Sequence, residues 1–368
     1  MNVRERFHAL ARFEPVDRPI YFDALGFWDE TIARWHGEGL PETVIDGTFT
    51  APDYFGFDSL SWLPIAANTD YEPGFWPAFE EEVIEEGPDY IVKRDVGGNT
   101  VRVKTDGRST IPQYLDHPVK SEKDFEGLRW RLDPETPERF TQFLDVMVDM
   151  ARAKGDETYT CAHCCGLFGM LRLLLGLTGL SVSTRRDPAL LHAIARQWQS
   201  MNAALIKKVR EKSPVDWVFF FEDMSYKNGP MISPKAFTEF MAPYYRRLVE
   251  EIRADTDIRV FAVDSDGDVS LLIPLFAATG INMMLPFEVQ AGMDVRRVRE
   301  QYPDLVIIGG LDKRALFTDV AAIEHEVIPK VEALLPRGGF IPSLDHNVPP
   351  EVPLDNFKKY LEILRGLY

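Results

Sequence analysis

The spacing of apolar and polar positions changes period many times along this chain. Short apolar or β-branched runs occur at Pro19–Phe22, Ser59–Pro64, Thr158–Ala162, Val215–Phe221, Ile258–Val263, Ile281–Leu285, Leu305–Ile308 and Gly339–Ser343. Each has the length and composition of a buried strand. Most of the later runs precede segments of helical period: Pro234–Arg253 with proline at its start, Val295–Tyr302, and Ala321–Leu335 closed by "PRGG". Strands alternating with helices pair in parallel through right-handed crossovers. Eight of them predict an α/β protein, a (β/α)8 TIM barrel. "MNVRERFHALARFEPVDRP" reads as an amphipathic helix ahead of the barrel.

One stretch departs from the rhythm. Residues 81–107 alternate with period two around "EGPD" and "VGGN" turns, which predicts an antiparallel meander inserted between barrel elements. Residues 108–135 read as a polar connection. The expectation is one domain over 1–368, with an insertion at about 81–135. A doubly wound sheet is the competing architecture, but no G-x-G-x-x-G follows the first strand and no Walker loop is present.

Composition removes several function classes. A hydrophobic share of 45% with 27% charged residues is that of a globular protein. No run of eighteen apolar residues occurs, and the N-terminus lacks the apolar core of a signal peptide. A cytoplasmic location is expected. The net charge of −17, without a dense Lys/Arg cluster, opposes nucleic-acid binding. The three cysteines, Cys161, Cys164 and Cys165, share one pentapeptide. They build no disulfide framework and fit a reducing compartment.

Barrel chemistry sits at the C-terminal ends of strands, and here those ends are rich in ionisable groups. His163 and the cysteines follow the third strand, Glu222 and Asp223 the fourth, and Asp264 and Asp266 the fifth. Phe287 and Glu288 follow the sixth, Asp312 and Lys313 the seventh, Asp345 and His346 the eighth. In extended backbone the i, i+2 spacing of Asp264 and Asp266 directs both carboxylates to one face. That spacing suits a metal, and Asp268 is the better placed to cap the following helix. His346 stands beside Asp345 in a loop stiffened by Pro349 and Pro350. Imidazole with two carboxylates is a ligand set for zinc, iron or manganese. Asp345 either orients that ring or is itself a ligand. Glu222 is either a ligand or a general base; successive strand residues face opposite ways, so at most one of Glu222 and Asp223 points into the barrel and the other ties down the "SYKNG" loop. Cys161 is expected in the core, with His163 and Cys164 lining the pocket wall. Lys313 either binds a substrate carboxylate or pairs with Asp312.

Three segments carry a family resemblance: "RERFHALARFEPVDRPIY", "EDMSYKNGPMISPKAFTEFMAPYYRRL" and "GGFIPSLDHNVPPEVPLDNFKKYLEIL". Together they resemble the uroporphyrinogen decarboxylase-like superfamily, which holds tetrapyrrole decarboxylases and corrinoid-dependent methyltransferases. The resemblance implies a single barrel and a homodimer. The decarboxylases carry an R-Q-A-G-R segment after the first strand that binds substrate carboxylates. Here that place reads "FDALGFWDETIARWHGEG", with Asp23 and other acids, which would repel a polyanionic tetrapyrrole. His346 matches the family's late histidine.

The methyltransferase branch is the closer template. Its zinc is held by an H-x-C-G motif after strand five and a late cysteine. Asp264-Ser265-Asp266-Gly267 and His346 occupy those places here. Oxygen donors in place of sulfur suit an alkoxide, phenolate, ether or carboxylate. The resemblance thus implies a metal-dependent methyltransferase or demethylase for a small methoxylated or hydroxylated substrate. Asp264, Asp266 and His346 would hold the divalent metal (zinc foremost, iron or manganese otherwise), with Glu222 as fourth ligand or base. No D-x-H-x-x-G string is present, so a corrinoid would arrive on a separate protein. Asp23, His163, Cys164, Asp223, Phe287, Glu288 and Lys313 are the expected substrate contacts. Two other readings stand beside it. One is a decarboxylase or lyase using Glu222, Asp345 and His346 as acid/base groups. The other is a non-catalytic ligand-binding relative.

Overall fold

The computed structural model describes residues 1–23, 25–65, 74–105, 112–139 and 142–368. Strand β1 (Leu60–Pro64) is followed by an antiparallel sheet of β2 (Glu82–Glu86), β3 (Tyr90–Arg94), β4 (Thr100–Lys104) and β5 (Gln113–Asp116). Then come β6 (Tyr159–Cys165), β7 (Trp217–Phe221), the hairpin β8 (Ser225–Tyr226) and β9 (Gly229–Pro230), β10 (Val260–Asp264), β11 (Met283–Leu285), β12 (Val306–Ile308) and β13 (Phe340–Ile341). Strands β1, β6, β7, β10, β11, β12 and β13 pair in that order as one parallel, curled sheet with helices around it. The fold is that of a TIM-like barrel.

The eighth place is filled without a ladder, a departure from the expected strand at Pro19–Phe22. Tyr21 donates its N–H to the Asp58 carboxylate (2.9 Å) and accepts from the Asp58 N–H (2.8 Å). A side chain thus replaces one strand-to-strand bond, and Pro19 has no N–H to offer. On the other side a single bridge joins Phe27 to Val348. The expected polar connection also holds more than expected: β5 completes the meander and a short helix, Glu122–Leu128, follows. Residues 106–111, from the end of the expected meander into that connection, lie outside the described residues.

Alternation decides which side chains enter the barrel. Tyr159, Cys161, Trp217, Phe219, Val260, Ala262, Met283, Leu285, Val306, Ile308 and Ile341 form the inner cluster. Their chain neighbours pack outward against the helices. The helix Val3–Ala11 closes the N-terminal end, with Phe7 stacked on Tyr159 at 4.8 Å between centroids. Arg4 and His8 fix it to buried Asp216 at 3.2 and 2.7 Å.

The helix Leu167–Arg186 is long and apolar enough to cross a membrane, but most of it is buried inside the fold. It breaks at Gly176 (φ 68°, ψ 163°). The carbonyls of Leu173 and Leu174, just before the break, accept from His117 Nδ1 (3.1 Å) and the Val119 N–H (3.0 Å). The break docks the end of the meander. The expected helix Pro234–Arg253 is two, Pro234–Phe240 and Ala242–Asp255, parted at Met241, because Pro243 has no N–H to offer the carbonyl four residues before it and sits instead in the first turn of the second helix. Asp268 accepts from the Ser270 N–H (2.9 Å) in a turn ahead of a shorter helix, Ile273–Ala277, so it caps the turn and not the helix.

Candidate functional site

Alternation also sorts the sequence-predicted site residues. His163 continues the inward phase of Tyr159 and Cys161, and Asp264 that of Val260 and Ala262. Cys164 and Glu222 fall in the outward phase. Cys164 packs among outer-cluster residues, and burial holds its thiol pKa well above the usual range. It lines no pocket wall. The Glu222 carboxylate lies behind the barrel wall, where it accepts from the Leu167 and Gly169 N–H groups, both at 3.0 Å, and from the Tyr245 hydroxyl. It caps a helix N-terminus, a favourable place for negative charge. Burial raises its pKa to about 7, against the lowering effect of those bonds. The structure therefore does not bring Glu222 to the other candidate ligands.

Three side chains from different strand ends do converge at the mouth. Asp266, Glu288 and His346 each offer a ligand atom, all within 4.8 Å of one another. His346 Nε2 lies 3.4 Å from Asp266 Oδ2, and Glu288 Oε2 accepts from the Gly267 N–H at 2.9 Å. Asp264 stays outside this group. Strand β10 ends at Asp264, so the same-face rule for extended backbone stops there. Its carbonyl accepts the N–H groups of Glu222 (3.1 Å) and Asp223 (3.2 Å), tying two loops together. Gly267 (φ 77°) has to be glycine, because a Cβ there would lie 2.6 Å from the Tyr226 carbonyl oxygen.

The electrostatics of this group are those of crowded acids around an imidazole. Burial and the nearby Asp266 charge raise the Glu288 pKa. Burial works against a charged His346, but the hydrogen bond and charge of Asp266 outweigh it and raise its pKa. His346 Nδ1 accepts from the Asn347 N–H at 2.8 Å. The hydrogen of the neutral ring therefore sits on Nε2, toward Asp266. Metal ligation through Nε2 requires that proton to leave and the Asn347 contact to yield.

Around this centre, the remaining candidates have distinct fates. Asp23 is buried, which raises its pKa to about 7. Its Oδ1 has no hydrogen-bond partner among the described residues. Asp345 is fully buried and accepts from the N–H groups of Val289 (2.9 Å) and Lys313 (3.1 Å). Lys313 Nζ lies 3.5 Å from Asp345, while Asp312 pairs with Arg314 at 2.6 Å, so Lys313 takes Asp345 as its ion partner. Asp223 (φ 40°) is held by Arg172 at 3.1 Å, and Phe287 (φ 61°) is buried. Among the described residues, two of the three non-glycine residues with positive φ thus lie at the mouth, a form of strain concentrated at functional sites.

Sequence reasoning missed four supporting residues. Trp62 donates from Nε1 to His163 Nδ1 at 3.0 Å, Asn347 engages His346, Tyr245 meets Glu222, and Arg172 holds Asp223. Arg172 did leave a signal, as a lone charge within the apolar run "LFGMLRLLLG".

Comparisons with known proteins agree with this architecture. Residues 91–367 match the family model for uroporphyrinogen decarboxylase (URO-D). The chain is 24% identical over 264 residues to a uroporphyrinogen decarboxylase of Gloeobacter violaceus, covering 69% of this chain and 71% of that protein. It is 32% identical over 132 residues to one from Solibacter usitatus, covering 35% and 36%. Among solved structures, a methyltransferase from Methanosarcina mazei superposes with a TM-score of 0.68 at 15% identity, covering 100% of this chain and 99% of that one. With three quarters of its length inside the family model and its barrel built as described, this chain belongs to the uroporphyrinogen decarboxylase (URO-D) family.

Proposed function

We propose that this protein is a metal-dependent methyltransferase or demethylase acting on a small oxygenated substrate, with Asp266, Glu288 and His346 holding the metal. The observation that carries the reading is the convergence of these three donors within 4.8 Å of one another. Two carboxylates and one imidazole suit zinc, iron or manganese, and the set differs from the expected one by Glu288 in place of Asp264 and Glu222. A divalent ion there supplies Lewis acidity toward a methoxyl or hydroxyl oxygen. Ligation through Nε2 would need His346 to keep its one proton on Nδ1 and give up the Asn347 contact; starting from the imidazolium that Asp266 favours, the Nε2 proton would pass to solvent, so uptake would be accompanied by proton release. Lys313 and Asp23 border the substrate, and a separate corrinoid protein is the methyl acceptor. Metal analysis and calorimetric titration with ZnCl2 and MnCl2 test the proposal. Stoichiometric binding lost in Asp266→Ala is expected, and a wild-type protein that takes up neither ion would sink it.

A second reading has its own support. With its proton on Nε2 facing Asp266, His346 is arranged as an acid/base group. Lys313 nearby suits a substrate carboxylate, which makes a decarboxylase of a small acid the alternative. Carbon dioxide release that persists in the presence of a chelator would favour it.

A further inference from the structure

Asp345 was expected to do chemistry beside His346, yet its carboxylate is fully enclosed and engaged on both oxygens. Oδ2 accepts from the backbone N–H of Val289, the residue after Glu288, at 2.9 Å. Oδ1 accepts from the backbone N–H of Lys313 at 3.1 Å, and Lys313 Nζ stands 3.5 Å away. The Asp345 N–H in turn donates to the Leu311 carbonyl at 2.8 Å. One side chain therefore joins the loops after β11, β12 and β13, and two of those loops carry Glu288 and His346.

We infer that Asp345 is a positioning residue, which sets Glu288 and His346 at their converging distance through the loop backbones, with Lys313 as its counter-charge. The inference goes beyond the proposed metal site by naming what preorganises it, and its affinity readout rests on that reading. Groups behind the ligands typically govern metal affinity by orienting them. A buried carboxylate that accepts two backbone N–H groups fixes both loops at once. Asparagine at this place has one carbonyl oxygen and one NH2, so it can serve only one of the two donors. Loss of Lys313 alone is the harsher change, because it strands a buried charge, whereas loss of both partners removes that charge as well.

The test uses the full chain with ZnCl2 or MnCl2, urea unfolding, and hydrogen exchange read at single amides. In Asp345→Asn, metal affinity should fall about ten- to a hundredfold, and exchange at the Val289 or Lys313 amide should quicken by at least ~tenfold. Lys313→Met should lower the urea midpoint more than Asp345→Asn, and Asp345→Asn/Lys313→Met should recover part of that loss of stability. Unchanged protection at both amides, with affinity within about twofold of wild type, would overturn the inference. So would a double variant less stable than Lys313→Met alone. If the wild-type protein binds no metal, the metal reading fails, and the exchange at Val289 and Lys313 still decides the role of Asp345.

Discussion

Glu222 and Glu288 both follow barrel strands, and both have raised pKa values with burial as the largest cause. Their surroundings could hardly differ more. Glu222, behind the wall, is saturated by donors: two backbone N–H groups at the head of the helix Leu167–Arg186 and the Tyr245 hydroxyl. Glu288, at the mouth, meets one N–H donor and shares space with Asp266 and His346. A carboxylate whose donors are already in place contributes to the fold. One that converges with other acceptors is left with capacity for a cation. The side of the wall, more than the residue type, separates the two.

The largest effect expected from this contrast is on stability. Glu222→Ala should lower the unfolding free energy in urea by about 3 kcal/mol or more, since it leaves buried donors unmet. Metal affinity in that variant should stay at the wild-type level, and a parallel loss of binding would erase the distinction between the regions. His346→Ala is the mirror case, expected to cost about a hundredfold in metal affinity, roughly 2.7 kcal/mol, with the urea midpoint almost unmoved.

Acidity sharpens the comparison further. The folded-state pKa of Glu222, about 7, lies above its ordinary value of 4.5. Its contribution to stability is therefore fully present below pH 4.5 and declines as pH rises to 7, then levels off. Glu222→Gln should remove that part of the slope in urea titrations across the same range. A slope identical to wild type would assign it to other groups. The smallest expected effect is that of Tyr245→Phe, a loss of about 1 kcal/mol with no change in metal binding.

Much of this was legible in the chain. Seven of the eight expected apolar runs coincide with parallel strands to within a few residues, because buried parallel strands leave short, nearly continuous apolar signatures. The run at Pro19–Phe22 forms no ladder, since Asp58 replaces its partner, and a side-chain substitution of that kind leaves no periodic trace. Strand alternation already implied that Cys164 opposes His163. The two therefore cannot share the pocket wall, and Cys164 packs outward. Asp266 and His346 were read as partners from strand-end position and resemblance, and they lie 3.4 Å apart. Glu288 was read only as a substrate contact. Its approach depends on a backbone turn through Phe287 at φ 61°, a conformation that composition does not announce.

The closed far end of the barrel bears on traffic. Phe7 and the helix that carries it stopper the bottom, and packed side chains fill the space above. Such a vessel is served from its rim. Anything delivered to Asp266, Glu288 and His346 and anything carried away would use the same doorway. In the proposed methyl transfer a bulky acceptor would then have to wait its turn, and the order of arrivals would be a property of the architecture as much as of affinity.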